Sequence, residues 1–123
     1  MERKIYRTEI RGLHFSDKKP AVGEEITIAG YLQFYDKDKR MWLPIEGSLD
    51  VYVNGRKKGR VSTVGNGYFS FPMVFDEAGE YTVEIKFAGS REYLGCGVPT
   101  PISVVPKKEK EEWKRIFRRL GLF

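Results

Sequence analysis

The chain has 123 residues, of which 41% are hydrophobic and 32% are charged, a composition typical of one globular domain. A single cysteine excludes an internal disulfide, and a single histidine excludes metal sites built from several histidines. No run approaches the roughly 20 apolar residues that cross a bilayer.

The net charge of +5 is concentrated at the C-terminus. Residues 107–123 hold seven basic and three acidic side chains, so the rest of the chain is nearly neutral. Because a basic segment attracts anionic surfaces, we expect an anionic partner to meet this tail first. Amide residues are limited to Gln33, Asn54 and Asn66, whereas lysine, arginine and glutamate are abundant. That combination is typical of heat-adapted archaeal or bacterial proteins.

The body of the chain alternates apolar and polar residues in short runs separated by turn residues, a pattern that predicts β-strands. The run 25–34 places four apolar side chains on one face: Ile26, Ile28, Leu32 and Phe34. Asn54-Gly55 is a strong signal for a two-residue hairpin turn. We predict about seven strands, at or within residues 4–15, 25–34, 49–53, 61–64, 68–71, 81–87 and 102–105.

Strands at this spacing indicate an antiparallel β-sandwich over residues 1–105. Val83 and Ile28 take inward positions on facing strands, so both are predicted to be buried opposite each other. Pro99 and Pro101 stand just before the last predicted strand. They favour an edge position for that strand, because a missing N–H is harmless at an edge.

Residues 106–123 follow a different period, and they predict a basic amphipathic α-helix. Pro106 suits the first turn of a helix and Gly121 suits its end. The apolar stripe and the arginines beside it are the candidate partner-binding residues: Trp113, Arg115, Ile116, Phe117, Arg118, Arg119 and Leu120. Either the stripe packs on the sandwich, or it binds a protein groove, an anionic membrane or a nucleic acid.

Several stretches resemble the strands of prokaryotic immunoglobulin-like domains: Val22–Leu32, Val51–Gly55, Gly67–Phe71, Ala78–Val83 and Phe87–Tyr93. The resemblance covers residues 22–95 in order and implies an immunoglobulin-like β-sandwich of about seven strands. It implies no single function, because sandwiches of this type serve many roles. Residues 106–123 lie outside the family pattern.

One motif within this resemblance has a physical meaning of its own. Asp76-x-Ala78-x-x-Tyr81 resembles the tyrosine corner, in which the ring packs inward and the hydroxyl bonds to backbone a few residues upstream. Val83 stands where antibody-type domains place their second core cysteine. Apolar packing is therefore expected in place of a disulfide.

Two residues of this sequence are candidates for catalysis, and neither has a catalytic partner nearby in the sequence. His14 would serve as a general base or a ligand, but we favour a half-exposed residue at the end of a strand. Cys96 would serve as a nucleophile, yet no basic neighbour is visible that would lower its pKa. We therefore predict no catalytic residue, no cofactor and no metal, and we expect a protein that is not an enzyme.

Three further motifs also have simpler interpretations than ligand binding. Carboxylates from Asp36 to Asp50 suggest a calcium loop, but three basic residues interrupt them, so a charged hairpin tip is favoured. Gly65-x-Gly67 is followed by a strand rather than a helix, so it is interpreted as a turn and not as a phosphate cradle. The basic residues that follow the Asn54-Gly55 hairpin are expected to be a solvated edge.

The sequence pattern does not determine whether five aromatic side chains point inward or outward: Tyr31, Tyr35, Trp42, Tyr52 and Tyr68. A flat aromatic face stacks sugars or bases well. Tyrosines are also common on exposed strand faces because of their β-propensity. The aromatic content alone therefore leaves the function open.

We expect a non-enzymatic interaction or scaffold module that uses the sandwich and the C-terminal helix to bind an unknown protein partner. One alternative is a module that binds carbohydrate or another cell-surface ligand. Another is a nucleic-acid or ribosome accessory protein that makes contact through the basic tail. The N-terminus lacks the apolar region of a secretory signal, which predicts a cytoplasmic protein, the alternative being a domain of a surface protein.

Overall fold

A computed structural model describes residues 4–107, 115–116 and 118–121 of the chain. This part of the chain folds into two antiparallel β-sheets. Its strands are β1 (Thr8–Phe15), β2 (Ile26–Asp36), β3 (Met41–Pro44), β4 (Ser48–Val53), β5 (Arg56–Ser62), β6 (Tyr68–Met73), β7 (Gly79–Phe87) and β8 (Cys96–Val104).

The first sheet, sheet I, is organised around the long strand β2. Strand β1 pairs along one side of β2. On the other side, β6 pairs with residues 26–31 and β3 pairs with residues 33–36, so these two strands lie end to end. The second sheet, sheet II, has the order β5-β4-β7-β8. Each sheet therefore turns one face inward and one face to solvent.

The core lies between the two inner faces, as the alternation of apolar residues predicts. Ile28 of β2 and Val83 of β7 are both fully buried, which confirms the prediction that they take inward positions. Phe34 is only partly buried, because it lies near one end of the sandwich. There its ring packs on those of Tyr6 and Tyr93, with centroids 4.9 and 5.3 Å away.

The turn before β7 has the geometry predicted for a tyrosine corner. The Tyr81 hydroxyl donates a hydrogen bond to the carbonyl of Glu77 at 2.8 Å, four residues upstream. Its ring centroid lies 4.7 Å from that of Phe75, a buried core residue. The Asn54-Gly55 hairpin is also confirmed, with φ of 50° and 82° at its two central residues.

Strand β8 is longer than predicted, and it includes both prolines. The backbone N–H groups of Ser103 and Val105 donate to carbonyls of residues 18 and 20, on the side away from β7. Pro99 and Pro101 occupy alternate positions of the same series, so their missing N–H groups fall on that outer edge as well. The predicted edge position is correct, and the edge offers few donors to another strand.

Three expectations about the elements need correction. Strand β3 was not predicted, because four residues of mixed polarity show no clear alternation. Strand β5 starts at Arg56, before the predicted run at 61–64, because the Asn54-Gly55 turn pairs its basic residues with β4. The predicted C-terminal α-helix is corrected: no helix occurs among the elements of the described residues, although residues 115–116 and 118–119 have a helical backbone.

The physical reason for the last correction lies in the apolar stripe. Ile116 and Leu120 are 47% and 66% exposed, so these two side chains gain little from burial. A lone helix of this length is marginal in water without such packing. Trp113 and Phe117, which belong to the same predicted stripe, lie outside the described residues.

Candidate functional site

The outer face of sheet I collects aromatic and basic side chains from four parts of the chain. On β2, Tyr31 and Tyr35 alternate with the buried residues and therefore point outward. Strand pairing sets Tyr31 between Arg11 and Tyr68, and sets Tyr35 opposite Trp42. We call this surface the aromatic face: Arg7, Arg11, Tyr31, Tyr35, Trp42 and Tyr68.

Trp42 is the centre of the densest part of the aromatic face. The guanidinium carbons of Arg7 and Arg11 lie over its indole ring, 5.3 and 4.6 Å from the ring centroid. The Tyr35 ring lies 5.4 Å from that of Trp42, centroid to centroid. Cations at these distances are attracted by the negative face of an aromatic ring. The stack therefore holds two long, flexible arginine side chains in place.

Backbone pairing determines where this stack forms. The N–H of Tyr35 donates to the carbonyl of Arg7 at 2.9 Å, which extends the pairing of β1 with β2 by one residue beyond the strand. Glu9, between the two arginines in sequence, lies 3.5 Å from Arg11. A second aromatic pair, Tyr31 with Tyr68, has ring centroids 5.5 Å apart. The rings thus follow the sheet across three strands.

A cleft of about 560 Å³ opens beside the aromatic face. It lies between the N-terminal segment 4–7 and the hairpin that joins β2 and β3. The ammonium group of Lys4 bonds to the Asp38 carboxylate at 2.7 Å. This hydrogen bond raises the pKa of Lys4 and lowers the pKa of Asp38. The ion pair ties the N-terminal segment to the hairpin.

Comparison with known proteins identifies a relative of the chain in an archaeon. No family model matches it. It is 31% identical over 106 residues to an uncharacterized protein of Archaeoglobus fulgidus, and the match covers 85% of this chain and 73% of that protein. The chain belongs to the family of that archaeal protein. This relationship is consistent with the expected archaeal origin.

Within the described residues, no helix is long and apolar enough to span a membrane.

The two catalytic candidates lie in unremarkable surroundings. His14 is exposed near the end of β1. Cys96 is half-buried at the start of β8, and burial raises the pKa of its thiol, although a hydrogen bond with Thr8 acts in the opposite direction. A raised pKa leaves less of the reactive thiolate at neutral pH.

The carboxylates that suggested a calcium loop are dispersed in the structure. Asp36 begins the hairpin tip, where its carboxylate accepts the N–H groups of Asp38 and Lys39 at 2.9 and 3.1 Å. Asp50 lies in sheet II, 3.1 Å from Arg60 and 3.2 Å from Lys57. The interpretation of Asp36 and Asp38 as a hairpin tip is confirmed. Among the described residues, no cluster of three or more metal-ligating side chains occurs.

That the tail residues bind a partner remains a prediction. The described members are all exposed: Arg115, Ile116, Arg118, Arg119 and Leu120. Trp113 and Phe117 lie outside the described residues.

Sequence reasoning missed the two arginines of the aromatic face. They precede Trp42 by more than thirty positions in the chain, and only the pairing of β1, β2 and β3 brings them together. The one available signal is the alternation of Arg7, Glu9 and Arg11, which puts three charges on one side of a strand. That signal shows an exposed face and does not show what lies beside it.

Proposed function

We propose that this protein is a non-enzymatic protein-binding module and that the aromatic face is its binding surface. One observation carries the proposal: the guanidinium groups of Arg7 and Arg11 are stacked over Trp42 on the outer face of a sheet. Tryptophan, tyrosine and arginine are the residue types that dominate binding energy at protein interfaces. A surface that holds them in fixed positions loses less side-chain entropy when a partner binds.

The scaffold of this module is proposed to be an immunoglobulin-like sandwich. The orders β1-β2-β6 and β5-β4-β7-β8 match the orders A-B-E and C′-C-F-G of such domains. The Tyr81 corner supports the same assignment, since its position corresponds to the start of strand F. In this assignment β3 is an addition that carries Trp42 to the aromatic face.

Carbohydrate binding is the competing use of the same residues. The exposed ring of Tyr31 and its neighbour Tyr68 favour it, because sugars stack on open aromatic rings. The arginines argue against it, since their guanidinium groups lie over the ring of Trp42. Guanidinium groups in this position present hydrogen-bond donors in a planar fork, which suits carboxylates of a protein partner.

The proposal is tested with two matched substitutions, Trp42→Ala and Tyr52→Ala. Both remove one aromatic ring from an outer sheet face, Trp42 from sheet I and Tyr52 from sheet II. Full-length wild-type and variant chains are immobilised and exposed to lysate of the organism of origin, and retained proteins are quantified by mass spectrometry. Affinities for a retained protein are then measured by calorimetry.

We expect Trp42→Ala to weaken binding by about 2 kcal/mol, or roughly thirtyfold, and Tyr52→Ala to leave it nearly unchanged. Thermal melts of both variants control for folding. Equal retention by the wild type and the folded Trp42→Ala chain would contradict the proposal. Displacement of the retained protein by oligosaccharides would favour the carbohydrate alternative.

A further inference from the structure

The cleft beside the aromatic face is assembled from segments that are distant in the sequence. One wall is the N-terminal segment 4–7, another is residues 35–38 at the end of β2, and Leu94 lines it as well. The N–H of Leu94 donates to the Tyr6 carbonyl at 2.9 Å, and the N–H of Tyr6 donates to the Glu92 carbonyl at 2.7 Å. These backbone bonds hold the wall in place, so the cleft is preformed.

Two large apolar side chains of this cleft stay open to solvent. Ile5 is 57% exposed and Leu94 is 52% exposed. Tyr6, next to Ile5, instead packs against Phe34. Single exposed apolar residues are common on protein surfaces, but these two line the same cleft. A partner side chain that enters the cleft would remove both from water.

The cations of the cleft are less compensated than its carboxylates. Asp38 is neutralised by Lys4 in the ion pair described above. The Asp36 carboxylate is engaged by two backbone N–H groups of the hairpin. For Arg7 and Lys37, the described residues contain no carboxylate within ion-pair distance. Two further basic residues, Lys39 and Arg40, follow on the exposed hairpin tip.

We propose that this cleft binds an acidic segment of a partner protein that carries a large apolar side chain. The apolar side chain would contact Ile5 and Leu94, and neighbouring carboxylates would pair with Arg7 and Lys37. Arg7 lines the cleft and also lies over Trp42, so the segment continues onto the aromatic face. The inference rests on the proposed protein-binding function and specifies the chemistry of the partner.

The first experiment measures peptide affinity by fluorescence anisotropy with the full-length chain. The probe is a short fluorescein-labelled peptide of alternating glutamate and leucine. One control peptide has lysine in place of glutamate, and another has serine in place of leucine. We expect both controls to bind at least about tenfold more weakly than the probe, because each lacks one half of the complementarity. Equal binding of either control would overturn the inference.

The second experiment locates the binding with matched charge reversals. Lys37→Glu changes the cleft, and Lys58→Glu makes the same change on the exposed edge strand β5. We expect Lys37→Glu to weaken probe binding by about tenfold and Lys58→Glu to have little effect. Ile5→Ser tests the apolar half in the same way, with a smaller loss expected. Equal losses for the two charge reversals would show general attraction and overturn the inference.

The same assay distinguishes an acidic peptide from other anionic ligands. A labelled single-stranded polyuridine and vesicles of anionic phospholipid are titrated alongside the peptide. Tighter binding of either one, weakened by Lys37→Glu, would overturn the inference in favour of a nucleic acid or a membrane. If Trp42→Ala releases the cellular partner and the cleft variants do not, the proposed function stands and the inference fails. If Trp42→Ala releases nothing, the proposed function fails.

Discussion

The outer faces of the two sheets use similar side chains in opposite ways. On sheet II, Asp50 is paired with Lys57 and Arg60, at 3.2 and 3.1 Å. Glu84 lies 3.4 Å from Lys86, whose ammonium group is also 5.2 Å from the Tyr52 ring. Most basic side chains of this face therefore form ion pairs with carboxylates of the same chain. Such a face is well solvated and offers a partner little new interaction.

On sheet I the two arginines lie over aromatic rings, although Arg11 is also 3.5 Å from Glu9. Arg7 lies over Trp42 and Tyr35, and Arg11 lies over Trp42. Stacking uses the flat face of a guanidinium and leaves its N–H donors at the rim for a partner. The comparison teaches that the arrangement of charge, rather than its amount, distinguishes the proposed binding face from the solvated face.

One inner strand of each sheet accounts for this difference. Strand β2 turns Tyr31 and Tyr35 outward, so its neighbours meet aromatic rings. Strand β4 turns Asp50 outward between Arg60 and Lys86, so its neighbours meet a carboxylate. Cross-strand neighbours interact directly, and the outward residues of one strand thereby determine the chemistry of the whole face.

The largest expected effect comes from removing the core that both faces share. Val83 is fully buried, and Val83→Asp would place an unpaired carboxylate among apolar side chains. Its burial costs several kcal/mol, comparable to the stability of a small domain, so we expect the chain to unfold and both faces to be lost. Circular dichroism and thermal melting measure this. A variant that melts within a few degrees of the wild type would refute the inward position.

A smaller effect is expected from Gly67→Ala, which disturbs sheet I alone. Gly67 has φ of 80°, and an added Cβ would lie 2.6 Å from the Leu32 carbonyl oxygen. We expect a loss of about 2 kcal/mol and weaker partner binding, because Gly67 positions the start of β6 and thus Tyr68. Urea unfolding and calorimetry measure the two effects.

Gly55→Ala is the matched control for Gly67→Ala in the hairpin of sheet II. Gly55 also has positive φ, at 82°, but an added Cβ there meets nothing within 4 Å. We expect the control to cost less than Gly67→Ala and to leave binding unchanged. If the two variants lose equal stability, the close approach of β2 to Gly67 is wrong.

The smallest expected effect is a pH dependence that belongs to sheet II. The hydrogen bond from Arg60, helped by Lys57, lowers the pKa of Asp50 in the folded state. The stabilisation is therefore fully present above the unfolded pKa of about 3.9 and is lost as pH falls through the folded value. We expect Asp50→Asn to cost less than about 1 kcal/mol at neutral pH.

This pH effect is measured by urea unfolding of the wild type and Asp50→Asn across the acidic range. We expect the difference between them to shrink below about pH 4, because protonation removes the same charge that the substitution removes. Partner binding at neutral pH should be the same for both chains. A difference in stability that stays constant with pH would show that the ion pairs of Asp50 contribute nothing.

Local sequence patterns determined most of the sandwich. The alternation in β2 and β7 predicted which side chains are buried, and Asn54-Gly55 predicted a hairpin that joins β4 and β5 at the expected place. The tyrosine corner was also visible, because its residues lie within a few positions of one another. These features depend on backbone preferences and on the two-residue period of a strand, both of which act over short stretches of chain.

Only the tertiary structure decided the candidate site and the state of the tail. Arg7, Arg11 and Trp42 meet through the register of three strands, which no local pattern encodes. The tail has the period of a helix, and residues 115–116 and 118–119 have a helical backbone, but the side chains of Ile116 and Leu120 are exposed, so the local period did not predict whether the helix packs on the sandwich. Long-range strand pairing determines which outward residues become neighbours. Burial of apolar side chains determines whether a locally preferred structure is stable.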